Sequence, residues 1–152
     1  MRHGILIQAL LSMTLTLGVF GQHYVLTYHD IPNSDEIISY MDIATDNFCD
    51  QLDFLQRQNY QVVPLSVFAD HMIHGTPIPE KAIGISFDDN YMGVYQNAYP
   101  ALKARKMPAT IFVHTDYAGV VTSKDHADWK ELQKAENSGF ISVGSHTATH
   151  RK

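Results

Sequence analysis

Cysteine occurs once in these 152 residues, at Cys49. That excludes an intrachain disulfide and any cysteine-rich zinc site. In NFCDQLDFL the thiol lies beside an apolar helical stripe and reads as a buried, inert side chain. Asn-x-Ser/Thr sequons, internal repeats and low-complexity tracts are all missing. Positive charge is scarce: 11 Lys and Arg stand against 16 Asp and Glu, a net charge of −5. Nucleic acids and anionic lipid surfaces are poor partners for such a chain. Long apolar runs are missing too, apart from Ile5 to Phe20, which Gln8 and small hydroxyl residues interrupt. It follows the basic start Met1-Arg2-His3-Gly4 and is short for a membrane span, although a buried first helix or an anchor would look similar. Val19 and Gly21 suit the −3 and −1 positions of a signal-peptidase site, so residues 1–21 are expected to be an export signal. With no cysteine near that site, a lipoprotein is not expected. The expected product, residues 22–152, is therefore periplasmic or extracellular and not integral to a membrane.

What remains alternates strands and helices. HYVLTYHDI (23–31) reads as a strand ending in His29 and Asp30. Phe48, Leu52 and Leu55 recur at helical spacing between about Asp46 and Gln58, with Thr45 as expected N-cap. YQVV (60–63) is a short strand, and PLSVFADHMIHG (64–75) a helix capped by Ser66 and stopped by Gly75. In KAIGISF, Ile83, Ile85 and Phe87 alternate with Ala82, Gly84 and Ser86, a strand pattern. A helix from about Gly93 to Lys106, the strand ATIFVHT, the helix DWKELQKAENSG and the strand FISVGS complete the series. This order predicts an α/β fold with parallel strands and outer helices. Closed barrels of that kind need about 200 residues or more. The expectation is thus the N-terminal portion of a distorted parallel (β/α) barrel, incomplete at its C-terminus.

Chemistry in parallel α/β folds gathers where strands end. Three predicted ends are polar: His29-Asp30, Asp88-Asp89-Asn90, and Ser145-His146 leading to His150. His146 and His150 have the spacing that puts two imidazoles on one helical turn. The pair lacks the glutamate of an HExxH zincin, so if it binds metal a third ligand and a base must come from elsewhere, and Asp89 and Asp88 are the natural suppliers. Two imidazoles with one carboxylate leave a zinc ion an open position for water. Taken separately, the acids also suit turn formation and helix capping, and the histidines a partly exposed helix start. A serine esterase built on Ser145 lacks the G-x-S-x-G elbow, since Val143-Gly144-Ser145-His146-Thr147 stands there.

Together, AIGISFDDNYMGVYQNAYPALKARKMPATIFV and SVGSHTATH resemble the polysaccharide deacetylases, carbohydrate esterase family four. That family writes its first two motifs T-F-D-D-G and H-[ST]-x-x-H. Here they read Ser86-Phe87-Asp88-Asp89-Asn90 and His146-Thr147-Ala148-Thr149-His150. VLTYHDI and NFCDQLDFLQRQNYQVVPLSVFADHM are similar to the poly-N-acetylglucosamine deacetylase branch. The resemblance implies a metal-dependent hydrolase that removes N-acetyl groups from an N-acetylglucosamine-containing polysaccharide, with residues 22–152 forming a partial deacetylase domain. It makes Asp88 the catalytic base and Asp89, His146 and His150 the ligands of a divalent metal. Zinc is the default for that set, and cobalt, nickel or iron would also fit. Asn90 replaces the family's glycine, and asparagine tolerates positive φ. Counterparts of the family's third motif, its Asp-Trp motif and its Leu-x-His motif, source of the general acid, are missing. Hence the further expectation that the chain is the N-terminal part of a longer enzyme and, alone, a poor catalyst. The alternative is a catalytically inactive fragment that at most binds metal or glycan. His29, Asp30 and Tyr91 are weak candidates for touching substrate, and Tyr28 and Tyr117 would either join them or pack in the core.

Overall fold

The computed structural model describes residues 23–150. The expected export signal lies outside them. Five parallel strands alternate with helices: β1 (Tyr24–Tyr28), α1 (Thr45–Arg57), β2 (Gln61–Val62), α2 (Leu65–His74), β3 (Ala82–Asp88), α3 (Tyr99–Ala104), β4 (Ala109–Val113), α4 (Trp129–Glu136) and β5 (Ile141–Ser145). The sheet runs β1-β3-β4-β5, with β2 also paired to β3. This matches the parallel α/β expectation. Among the described residues no helix is long and apolar enough to cross a membrane.

β3 is the centre of the sheet. Ala82 through Phe87 are all buried, so both faces of this strand are covered. Its first residues pair with β2 and its last, Ser86–Asp88, with β4, while β1 runs alongside from Ile83 to Phe87. The register fixes the site: Asp88 lies opposite Phe112, two residues before His114, and Val113 opposite Ser145, next to His146. Phe48, Leu52 and Leu55 of α1 face the core as their spacing predicts. There the rings of Tyr28, Phe48 and Phe87 meet in pairs at centroid separations of 5.1, 5.6 and 5.8 Å, within the range where offset and edge contacts are favourable.

Several local expectations need correction. Ala44, not Thr45, is the N-cap of α1. Thr45 is already helical, and its hydroxyl donates to Pro32 O at 2.9 Å, tying the helix to the loop after β1. α2 has Pro64 as N-cap and no side-chain cap, so Ser66 does not perform that role. The helix expected over 93–106 is a π-helical turn, Val94–Ala98, followed by α3. Proline at N2 of α3 has no N–H to offer, which fits this break in the usual hydrogen-bond ladder. Cys49 is only half buried. α4 does begin as expected, with the Asp128 carboxylate accepting from the N–H groups of Lys130 and Glu131, both at 2.9 Å.

A buried ion cluster fastens the strand-end loops together. Lys124 Nζ donates to Asp30 Oδ2 at 3.0 Å and to Asp42 Oδ1. Asp42 Oδ2 accepts from the N–H groups of Ile38 and Ser39 at 3.0 and 2.9 Å. Glycine is required at position 93, because a Cβ there would collide with Asp30 Oδ1 and the Ile31 carbonyl. Burial pushes the Asp42 carboxyl up, but Lys124 and the two amides together hold it below the usual carboxylate range. Such a group stabilises the fold above its unfolded value of about 3.9 and loses that contribution as pH falls through the lowered folded value. Lys124→Met leaves the acids buried without their cation, which should cost about 3–5 kcal/mol in urea unfolding at pH 7. The gap to wild type should narrow as pH falls below about 3.9 and close only once Asp42 is protonated, below its lowered folded value. An equal gap at pH 7 and pH 3 would show that packing, not charge, carries the effect.

Candidate metal centre

The end of β3 turns sharply. Asp89 and Asn90 take φ of 72° and 44°, two consecutive left-handed residues. Asparagine and aspartate enter this region more readily than other side chains, so the turn survives without the family's glycine. Asn90 is fully buried and braces the site. Its Oδ1 accepts from the His114 N–H and its Nδ2 donates to Ala127 O, both at 3.3 Å. Asp88 and Asp89 therefore leave the strand end in different directions from one rigid turn.

The segment after β5 is not helical, so His146 and His150 are not joined by a helical turn as their spacing suggested. Thr147 and His150 sit at positive φ, 67° and 52°. The loop is pinned to the end of β4 instead. His146 N–H donates to Val113 O at 2.9 Å, Thr115 N–H to Thr147 O at 3.2 Å, and Asp116 N–H to Ala148 O at 3.1 Å. This pinning carries both histidines beside the β3 turn. Ser145 Oγ accepts from Thr147 N–H at 3.3 Å and so serves the loop's own turn rather than acting as a poised nucleophile.

Asp89, His146 and His150 converge, and His114 joins them: one ligand atom from each of the four lies within 4.8 Å of the others. Donor atoms around one divalent ion at about 2.1 Å stand about 3.0–4.2 Å apart. The observed separations are 3.1 Å from Asp89 Oδ1 to His114 Nε2 and 3.5 Å to His146 Nε2. The rings of His114 and His146 stack at 4.5 Å and 9°, and His150 meets them at 5.0 and 4.9 Å. Asp89 Oδ1 and His114 Nε2 are both buried, yet neither makes a hydrogen bond among the described residues. Buried polar atoms without a partner are costly. Two of them facing one another, in a set of three imidazoles and a carboxylate, fit a cation. Burial pushes the His114 imidazole down against the pull of Asp89, keeping it in the neutral form that a ligand needs. Asp88 stands just outside, with Oδ2 at 4.0 Å from His146 Nε2.

His114 is the residue that sequence reasoning missed. It directly follows β4, at the same kind of strand end as the acids, and that position was the available signal. A cleft of about 320 Å³ opens beside the cluster, lined in part by Asp89, Tyr91, Tyr117, His126 and His150. Tyr91 and Tyr117 thus line the cleft, whereas Tyr28 is core. Burial, followed by the charge of Asp89, pushes the Tyr91 phenol up to about 12. Asp30 is committed to Lys124 and to its neighbour's N–H, and it faces away into the ion cluster. His29 is half buried and does not line the cleft.

The model of the polysaccharide deacetylase family matches residues 75–152. The chain is 25% identical over 134 residues to a poly-β-1,6-N-acetyl-D-glucosamine N-deacetylase of Escherichia coli K12, covering 80% of this chain and 20% of the relative. The enzyme of the same name from Staphylococcus aureus is 31% identical over 117 residues, 76% of this chain and 40% of that one. The chain thus spans well under half the length of these curated relatives. Among solved structures, IcaB from Ammonifex degensii superposes with a TM-score of 0.76 at 29% identity, over 83% of this chain and 53% of that one. A polysaccharide deacetylase from Bacillus cereus gives 0.69 at 27%, over 85% and 40%.

Asn90 offers a test of the turn. Asn90→Gly relieves the positive φ but removes the side-chain partner of the buried His114 N–H. Losing buried hydrogen bonds outweighs the conformational gain, so chemical denaturation should show a net loss of about 1 kcal/mol. A more stable glycine variant would mean that backbone strain dominates instead.

Proposed function

The chain belongs to the polysaccharide deacetylase family, and from that premise we propose that it takes part in metal-dependent removal of N-acetyl groups from a poly-N-acetylglucosamine polysaccharide outside the cytoplasm. The observation that carries this reading is the convergence of Asp89, His146 and His150 beside Asp88 at the ends of parallel strands. Its substrate class comes from the names of the relatives.

Asp89, His146 and His150 would hold a divalent ion; zinc, cobalt, nickel and iron(II) all suit such donors. When bound, the ion supplies a water nucleophile at neutral pH and polarises the amide carbonyl. Asp88 accepts the proton of the attacking water at its carboxylate, for which it must lie within hydrogen-bond reach of that water. Asn90 and the pinned β5 loop keep these side chains in place without rearrangement. Tyr91 and Tyr117 line the cleft, and aromatic side chains there suit contact with a pyranose. An exported location agrees with the apolar segment near the start of the sequence.

Metal content after dialysis and acetate release from N-acetylglucosamine oligomers test the roles separately. Asp89→Ala and His150→Ala should lose bound metal, and any activity with it. Asp88→Asn should keep the metal while losing about 10²–10⁴-fold in rate. Equal metal binding by wild type and both ligand variants would overturn the ligand set. Full activity in Asp88→Asn would overturn the base.

A further inference from the structure

Three donors account for the proposed centre, yet a fourth stands among them. His114 Nε2 is buried without a hydrogen-bond partner. It lies 3.1 Å from Asp89 Oδ1, and its ring stacks on His146 and meets His150 edge-on. A core histidine in a purely structural role would have both ring nitrogens satisfied or exposed. A histidine that merely orients Asp89 from outside would donate an N–H to it, and at 3.1 Å the angles here do not make that bond. The backbone that carries the ring is fixed: the main-chain N–H of His114 donates to Asn90 Oδ1, and Val113 before it is held in the β4–β5 ladder.

We infer that His114 is a fourth protein ligand, so that the centre is built for a five- or six-coordinate ion. This rests on the metal-centre reading above and goes beyond it. Catalytic zinc sites keep three protein ligands and one open position. Four protein donors would fill a tetrahedral shell and exclude water. An ion that accepts five or six ligands, such as iron(II), cobalt(II) or nickel(II), keeps a position for water beside the same four side chains.

Cobalt(II) reports this directly, because its visible d–d bands are weak in five- and six-coordinate sites and strong in tetrahedral ones. The full chain loaded with cobalt(II) should show the weak spectrum. His114→Gly should lose affinity for cobalt(II) by more than about 100-fold, beyond the 10–100-fold typical of outer-shell partners. At saturating cobalt its bands should strengthen several-fold, and added imidazole should restore the wild-type spectrum. His114→Gln, of similar size, should show the same loss of affinity and guards against a folding defect, checked by circular dichroism without metal. A strong tetrahedral spectrum in the wild-type chain would overturn the inference, whatever the variants do. So would a loss within the outer-shell range with an unchanged spectrum, and in that case the three-donor centre would stand. No cobalt binding by the wild-type chain would overturn both.

Discussion

Everything in the site hangs from one tight turn, Asp89-Asn90, at the end of a strand that cannot move. β3 is buried on both faces and paired with β1, β2 and β4. Its last residues therefore have no freedom to adjust their register. Two left-handed residues in succession cost roughly 1–2 kcal/mol each for ordinary side chains, less for asparagine and aspartate. Asn90 offsets that strain through its bonds to His114 and Ala127. The turn thus does two jobs: it parts the two carboxylates, and it ties the β4 end to the segment that leads into α4. Strain held in place by surrounding structure is a recurrent property of functional sites.

The same turn anchors a second layer. Ala127 N–H donates to Asn90 O and Met92 N–H to Asp125 O, at 3.0 and 2.9 Å. The loop so captured carries Lys124 onto Asp30 and Asp42 and brings His126 within 4.8 Å of the Tyr91 ring. Lys124 also lies 4.8 Å over Tyr91. One cation therefore holds the loop that walls the cleft while contacting a ring that lines it. Wall and cluster are parts of a single scaffold.

Strand and helix alternation was legible because each strand here is short, apolar and bounded by turn residues, and Phe48, Leu52 and Leu55 mark α1 by period alone. Helix ends were less legible. Thr45 and Ser66 are good capping residues by type, but Thr45 is recruited by the carbonyl of Pro32, and Pro64 starts α2 by its fixed φ. The HxxxH spacing misled about local structure for a related reason. Four residues suit one helical turn, yet the hydrogen bonds that shape the loop come from Val113, Thr115 and Asp116, far away in sequence. Asp30 has the composition of a site residue and the surroundings of a structural one, a distinction that only the position of Lys124 reveals. His114 could have been found from its place at a strand end, but an isolated histidine after ATIFV carries no partner spacing to single it out.

Charge balance separates the two acidic groupings. Asp30 and Asp42 share a lysine, and Asp42 adds two backbone donors. Asp88 and Asp89 share no lysine or arginine among the ion pairs of the described residues; their near neighbours are imidazoles. Burial pushes the His114 imidazole down, so this ring adds little positive charge beside the two carboxylates. Nearby like charges and unpartnered buried atoms both oppose the folded arrangement, and a divalent cation relieves both at once. The cluster is thus a place where an added positive charge would relieve unpartnered buried atoms, whereas at Asp30 and Asp42 the protein has already supplied it.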